Sequence, residues 1–173
     1  MKVVFCDIDG VLNSHGSTEN GRRLQDNRTG CIYVDETCFC PTAISNLNVL
    51  IEDINNLWIV ISSSWRVFHP LEEIRRMLAM AGFLYPWRIL DKTPRGSSRG
   101  LEIAKWLETN AEKYEVRSFF AIDDDDFDMD PIKSYLVHTD GDSGFTWKHV
   151  KEIKKGFKDG WFILDMDKLR EEK

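Results

Sequence analysis

The sequence predicts an α/β fold in which a mostly parallel sheet is covered by helices on both faces. Short apolar runs alternate along the chain with segments whose apolar residues recur at helical spacing. Three of these apolar runs end immediately before a cluster of polar residues. At 173 residues, without a repeat or a linker, the chain is expected to form one domain over residues 1–173.

The strands are predicted from apolar runs rich in β-branched and aromatic residues, which occupy residues 2–6, 57–61, 116–122 and 134–139. A short run at 87–90 predicts a brief additional strand, and residues 31–34 suit one arm of a hairpin. The helices are predicted at residues 41–55, 70–82, 99–110 and 145–157. Pro41 and Pro70 suit first helical turns, and Gly82 ends the second of these helices.

Composition places the chain among globular proteins, with 42% hydrophobic and 12% aromatic residues. The net charge of −6 argues against a broad nucleic-acid-binding surface, although six of the acidic residues are concentrated in residues 123–130. No apolar stretch approaches the roughly 20 residues that span a bilayer, so no membrane partner is expected. The start of the chain shows no signal peptide, and we expect a cytoplasmic location.

The chain has four cysteines, at positions 6, 31, 38 and 40. Cys6 lies in an apolar run and is expected to be a small core residue. The spacing of Cys31, Cys38 and Cys40 matches no standard zinc pattern, so free thiols are expected and a structural metal is the alternative.

Polar side chains follow three of the predicted strands. Asp7 and Asp9 follow the first, a run of three serines at 62–64 follows the second, and Asp123 and Asp124 follow the third. Parallel sheets bind ligands outside the carboxyl ends of their strands, so these side chains are expected at one edge. Carboxylates crowded together require a cation, and oxygen ligands favour Mg²⁺.

Such a cluster is suited to phosphoryl transfer. A carboxylate beside a metal can act as a nucleophile and form an aspartyl-phosphate, and a second acid two residues further on can act as general acid and base. Serine hydroxyls can hold phosphoryl oxygens, and a cation balances their charge. Arg99 fits this cationic role, with Lys92 and Arg95 as alternatives, although an ordinary surface position for Arg99 remains open.

Over residues 5–128 the chain resembles the haloacid dehalogenase (HAD) superfamily of phosphohydrolases, whose four ordered motifs match "DIDGVLN", "ISSSWR", "SSRGLEIAKWL" and "FFAIDDDDFD". The second and third motifs look most like the phosphatase domains of RNA-repair and polynucleotide end-processing proteins. The resemblance implies a three-layer Rossmann-like fold and Mg²⁺-dependent hydrolysis of phosphomonoesters through an aspartyl-phosphate.

The resemblance also implies roles for individual residues. Asp7 would be the nucleophile and a metal ligand, and Asp9 would be the general acid/base, with its backbone carbonyl on the metal. Ser62 would hold the phosphoryl group, with Ser63 as the alternative, and Arg99 would take the cationic role of the third motif.

Further roles fall in the second and fourth motifs. Asp124 is the preferred direct metal ligand, and Asp123 and Asp128 would support it. Arg66, four residues after Ser62, would add a phosphate contact. A solvated acidic loop is the alternative for residues 123–130.

The insertions between motifs are short. Residues 14–40 suit a flap or small insertion, and residues 67–98 are largely occupied by one helix and a short strand, so a capless or minimally capped site is expected. An open site favours phosphate on a large partner, and we expect a polynucleotide 3′-phosphate or a nucleotide as substrate. A phosphoprotein carrying phosphotyrosine or phosphoserine is the alternative, and a non-catalytic HAD-like binding module is a third hypothesis. Arg22, Arg23 and Arg28 would contact a phosphate backbone or belong to a surface loop.

Overall fold

The computed structural model describes residues 1–14, 33–34 and 37–171. In this part of the chain the strands are β1 (Lys2–Cys6), β2 (Tyr33–Val34), β3 (Thr37–Cys38), β4 (Leu57–Ile61), β5 (Ile89–Lys92), β6 (Ser118–Asp123) and β7 (Leu136–His138). Five of them form a parallel sheet in the order β5-β4-β1-β6-β7, and β2 and β3 pair antiparallel outside it. The predicted α/β class with a parallel sheet is confirmed.

Strand β1 is central and pairs in parallel with β4 on one side and β6 on the other. Four of its five residues are completely buried, which is typical of a parallel strand covered on both faces. Cys6 lies opposite Ile61 of β4 and Ile122 of β6, so the three strands reach their carboxyl ends at the same level.

The helices that flank the sheet are α1 (Pro41–Asp53), α2 (Trp65–Phe68), α3 (Leu71–Met80), α4 (Arg99–Asn110), α5 (Trp147–Asp159) and α6 (Met166–Glu171). Their apolar faces complete a core to which β1 also contributes. The Phe5 ring meets Trp106 of α4 edge-on at 5.4 Å between centroids, and α1 packs against α5.

Several element boundaries differ from those predicted. The run at 87–90 begins as a 3₁₀ turn at Pro86–Arg88, and the strand occupies Ile89–Lys92. Helix α5 begins at Trp147 because Thr146 and His149 form a capping box there. The short helices α2 and α6 were not predicted, since neither is long enough to show a helical period.

Part of the sequence prediction concerns residues outside those described. Arg22, Arg23, Arg28 and Cys31 fall there, together with most of the insertion at 14–40. Cys6 is buried and Cys40 is half-buried, and both are free thiols. Among the described helices, none is both long and apolar enough to cross a membrane.

Candidate active site

Three strand ends deliver the candidate site residues to one edge of the sheet. Asp7 follows β1, Ser62 follows β4, and Asp123 is the last residue of β6. The Asp7 N–H donates to the Ile122 carbonyl at 3.0 Å, and the Ser62 N–H donates to the Cys6 carbonyl at 2.9 Å. These two bonds continue the ladder past the strands and fix the three residues at the same level.

Three carboxylates meet at this edge. Asp7, Asp123 and Asp124 each offer an oxygen, and these oxygens lie within 4.8 Å of one another. Asp7 and Asp123 are buried, and burial raises the pKa of both above the ordinary carboxyl range. The pKa of Asp123 rises to about 7, with the neighbouring charge of Asp7 as the second cause. A compact set of oxygen donors of this kind suits a hard divalent cation such as Mg²⁺.

Arg99 supplies the positive charge beside this cluster. Its Nη1 lies 3.3 Å from Asp7 Oδ1 and 3.1 Å from Asp123 Oδ2, and it also donates to the Ser62 carbonyl. The guanidinium therefore connects the ends of β1, β4 and β6. Arg99 is the first residue of α4, and the Ser98 side chain caps this helix by accepting the Leu101 N–H. Burial acts to lower the pKa of Arg99, but the proximity of both carboxylates outweighs it and raises the pKa, so the guanidinium stays charged.

Asp9 lies apart from the three carboxylates and is exposed. Asn13 Nδ2 donates to its Oδ1 at 2.9 Å, and Trp65 Nε1 donates to its Oδ2 at 3.0 Å. Both donors are neutral, and together they orient the carboxylate. Sequence reasoning missed both residues. Asn13 is the last residue of the first motif and Trp65 directly follows the three serines, so their position in these motifs was the signal that could have identified them.

Gly10 permits the close approach of Asp124. Its φ of +69° lies in the left-handed region that favours glycine. A Cβ at this position would lie 2.1 Å from the Asp124 carboxyl carbon. The Asp124 carboxylate therefore packs directly over the glycine backbone, and this packing holds it beside Asp7.

The two candidate serines differ in their contacts. The Ser63 hydroxyl is buried, hydrogen-bonds to the Asp7 carboxylate and accepts the Trp65 N–H at 3.4 Å. The Ser62 hydroxyl is buried and has no hydrogen-bond partner in the described part of the chain. Thr93, which sequence reasoning missed, lies alongside. Its N–H donates to the Ile61 carbonyl at 2.9 Å, and its buried hydroxyl likewise has no partner there.

Arg66 and Asp128 lie outside the carboxylate cluster. Arg66 is 8% exposed, pairs with Glu102 through Nη2, and donates from Nη1 to the Ser63 carbonyl at 2.6 Å. The Asp128 carbonyl accepts the Gly100 N–H at 2.7 Å, so this residue is held against the start of α4. The structure therefore brings together Asp7, Asp123, Asp124, Arg99 and the two serines, with Asp9 beside them, but not Arg66 or Asp128.

The fold and this arrangement of motif residues define a member of the HAD superfamily. The family model for the HAD domain in Swiss Army Knife RNA repair proteins matches residues 3–150, and the chain belongs to that family. The predicted resemblance is thus confirmed. No curated protein shows significant sequence similarity to the chain.

Solved structures support the same fold. The HAD domain of the effector protein Lem4 from Legionella pneumophila, determined as an inactive mutant, is similar with a TM-score of 0.54 and 14% identity, covering 91% of this chain and 93% of that one. Another structure of this Lem4 domain gives a TM-score of 0.53 at 14% identity, covering 91% and 94%. At this identity the similarity establishes the fold alone.

Proposed function

We propose that the protein is a Mg²⁺-dependent phosphomonoester hydrolase that works through an aspartyl-phosphate on Asp7. The observation that carries the proposal is the meeting of Asp7, Asp123, Asp124 and Arg99 at one sheet edge, with Asp9 beside them. Membership of the HAD family supports phosphatase-type activity.

The residues present fit a divalent cation. When its three carboxylates are ionised, the largely buried cluster carries with its one guanidinium a net charge of −2, which a divalent cation would neutralise. Mg²⁺ would be held by Asp7, Asp124 and the Asp9 carbonyl, with Asp123 in support. Bound there, it would offset the negative charge of the phosphoryl oxygens that approach Asp7.

Asp7 and Asp9 have separate roles in the proposed reaction. A carboxylate oxygen of Asp7 attacks phosphorus, the bond from phosphorus to the ester oxygen breaks, and protonated Asp9 gives its proton to that oxygen. Asp9 then takes a proton from water as the water oxygen attacks phosphorus, which releases inorganic phosphate and restores Asp7. Arg99 and a serine hydroxyl stabilise the phosphoryl oxygens in both steps.

The proposed substrate is a polynucleotide 3′-phosphate or a nucleotide. Two observations support this choice: the family is that of HAD domains in RNA repair proteins, and Asp9 is exposed beside the buried nucleophile. A macromolecular substrate can reach an exposed acid and exclude water on binding.

A substrate panel tests the proposal. An aryl phosphate, a 3′-phosphorylated oligonucleotide and phosphotyrosine and phosphoserine peptides are compared with Mg²⁺ and with chelator. We expect the oligonucleotide to give the highest kcat/KM, and activity to require Mg²⁺. Asp7→Asn should abolish turnover, whereas Asp126→Asn, in the same acidic run but paired with Lys133 at 3.2 Å, should not. Full activity in a folded Asp7→Asn protein would refute the mechanism.

Substrates with different leaving groups distinguish the proposed role of Asp9 from that of Asp7. A sugar alkoxide needs a proton when it leaves, whereas an aryl oxide needs it much less. Asp9→Asn should therefore reduce kcat/KM, which reports the step that forms the aspartyl-phosphate, by about 10²–10⁴-fold on the oligonucleotide and far less on the aryl phosphate. Equal losses of kcat/KM on both substrates would contradict the general-acid role. Faster turnover of the phosphopeptides would favour a phosphoprotein phosphatase, and no turnover at all would favour a binding module.

A further inference from the structure

A cavity of about 260 Å³ adjoins the carboxylate cluster. Its wall includes Arg66, Arg95, Ser97, Ser98 and Arg99, and Asp123 closes it on the side of the cluster. Arg99 and Asp123 therefore belong both to the cavity and to the candidate active site. A molecule bound at Asp7 would therefore have this cavity beside it.

The cavity presents unused hydrogen-bond donors. The backbone N–H groups of Ser97, Ser98 and Arg99, at the start of the 12-residue helix α4, have no partner among the described residues. Arg66, which lines the cavity, is 8% exposed, and its buried Nε has no partner there either. Arg95 is exposed and forms no ion pair within the same part of the chain. Helix N-termini and unpaired arginines attract anions.

Two of the four acidic residues that line the cavity are paired with arginines. Glu102 accepts from Arg66 and from the Gly96 N–H at 2.7 Å. Asp123 is paired with Arg99, and Asp125 accepts the Phe127 N–H at 2.9 Å. The carboxylate of Asp128 also lines the cavity and has no such partner in the described chain. The donors left for an anion on this wall are therefore Arg95 and the N–H groups of Ser97 and Ser98.

An exposed aromatic ring lies on the loop at the rim. Phe127 is 89% exposed and stands between Asp125 and Asp128, both of which line the cavity. A ring so exposed contributes little to the core, but it offers a face on which a nucleobase can stack. Hydrogen-bond donors for a phosphate beside a ring on which a base can stack fit a polynucleotide better than a phosphopeptide.

We propose that this cavity binds the internal phosphodiester next to the 3′-terminal phosphate of a polynucleotide, with the adjacent base stacked on Phe127. The proposal rests on the proposed function and adds a second phosphate site to it. Arg95 and the first-turn N–H groups of α4 hold the phosphodiester oxygens while the terminal phosphate lies at Asp7.

The test compares two substrates that differ by one phosphodiester: thymidine 3′-phosphate and the dinucleotide d(TpTp). With the wild-type protein, the KM for the dinucleotide should be about tenfold lower, as expected for one charge-assisted contact. This advantage should disappear in Arg95→Ala and in Ser97→Asp, which places a negative charge in the cavity. Arg76→Ala, which removes another exposed arginine, from α3, should retain it.

A binding measurement separates this proposal from the proposed function. Thymidylyl thymidine, TpT, has the phosphodiester but no terminal phosphate, and its affinity is measured by calorimetry with each variant. Weaker binding in Arg95→Ala but not in Arg76→Ala supports the site even if no ester is hydrolysed, and only the proposed function then fails. Hydrolysis of both substrates with equal KM overturns the site and leaves the function intact. A KM advantage confined to doubly phosphorylated peptides also overturns it.

Discussion

Mg²⁺ should stabilise the fold by a measurable amount, because the carboxylate cluster is poorly compensated without it. Asp7 and Asp123 are buried, Asp124 lies within 4.8 Å of both, and Arg99 is the cation in contact with this group. With all three carboxylates ionised, a net charge of −2 is concentrated at one sheet edge. A cation that binds only the folded state lowers its free energy by mass action.

The expected size follows from this linkage. A metal at about 100 times its dissociation constant contributes about 2.7 kcal/mol to the free energy of unfolding. For a chain of this size, each kcal/mol raises Tm by about 2–4 °C, so Mg²⁺ should raise Tm by about 5–10 °C. The shift should be larger above pH 7 than below it. The pKa of Asp123 is raised from 3.8 to about 7, so in chelator the carboxylate cluster loses stability as the pH rises between these values.

Scanning calorimetry in Mg²⁺ and in chelator measures this shift. Asp124→Asn should remove most of it, because this variant deletes the preferred metal ligand. Asp126→Asn removes a carboxylate from the same acidic run outside the cluster and should retain the full shift. An unchanged Tm in the wild-type protein, or an equal shift in both variants, would refute the assignment of the cluster as a metal site.

Three further predictions concern single positions. The values of kcat for two variants should show which serine hydroxyl contacts the phosphoryl group. Because Ser63 contacts Asp7, Ser63→Ala should reduce kcat more than Ser62→Ala does. The reverse order would assign this contact to Ser62. Gly10→Ala and Gly82→Ala both place alanine at positive φ and should cost about 1–2 kcal/mol of stability. Only Gly10→Ala should also weaken Mg²⁺ binding, since Gly82 has nothing within 4 Å of an added Cβ. Burial lowers the pKa of His149 below 6.5, so the free energy of unfolding should fall as the pH drops below 6.5. His149→Gln should make the free energy of unfolding less dependent on pH. Urea titrations from pH 7 down to about pH 5 measure this difference.

The strand-end residues could be predicted from the sequence because parallel pairing leaves little freedom. Each apolar run marks where a strand ends, and a shared register brings those ends to the same level. The Cys6, Ile61 and Ile122 alignment shows this directly, since the residue after Cys6 is Asp7 and the residue after Ile61 is Ser62. The positions of the apolar runs in the sequence therefore predict which distant residues lie together at the sheet edge.

The acids of residues 123–130 could not be ranked in the same way. Beyond Asp123 the segment is a loop, and a loop has no fixed period that would assign its side chains to one side. Asp124 reaches the cluster because Gly10 leaves room for it, whereas Asp128 is held against Gly100 at the start of α4. Both contacts join residues far apart in the chain, and neither leaves a signal in the acidic run itself.

The same limit explains why the supports of the site escaped detection. Trp65 donates to Asp9 across 56 positions, and Arg66 pairs with Glu102 across 36. In the sequence each partner also has a common structural explanation. Trp65 can be interpreted as a core residue, and Glu102 as an ordinary glutamate in the first turn of a helix. Only the folded chain reveals that these residues hold motif side chains in place.

The contrasting surroundings of Asp7 and Asp9 support the different roles proposed for these two side chains. Asp7 is buried beside the charged Arg99 and accepts the Ile8 N–H at 2.8 Å, contacts that favour its ionised form and partly offset the burial that raises its pKa. Asp9 is exposed, and its contacts are the neutral donors of Asn13 and Trp65, which orient the carboxyl group without adding a full charge. A group that gives up a proton and takes it back must be held in a fixed orientation toward the reacting oxygens. The division of labour proposed for the first motif thus follows from which partners each aspartate meets, and not from the spacing of the two residues alone.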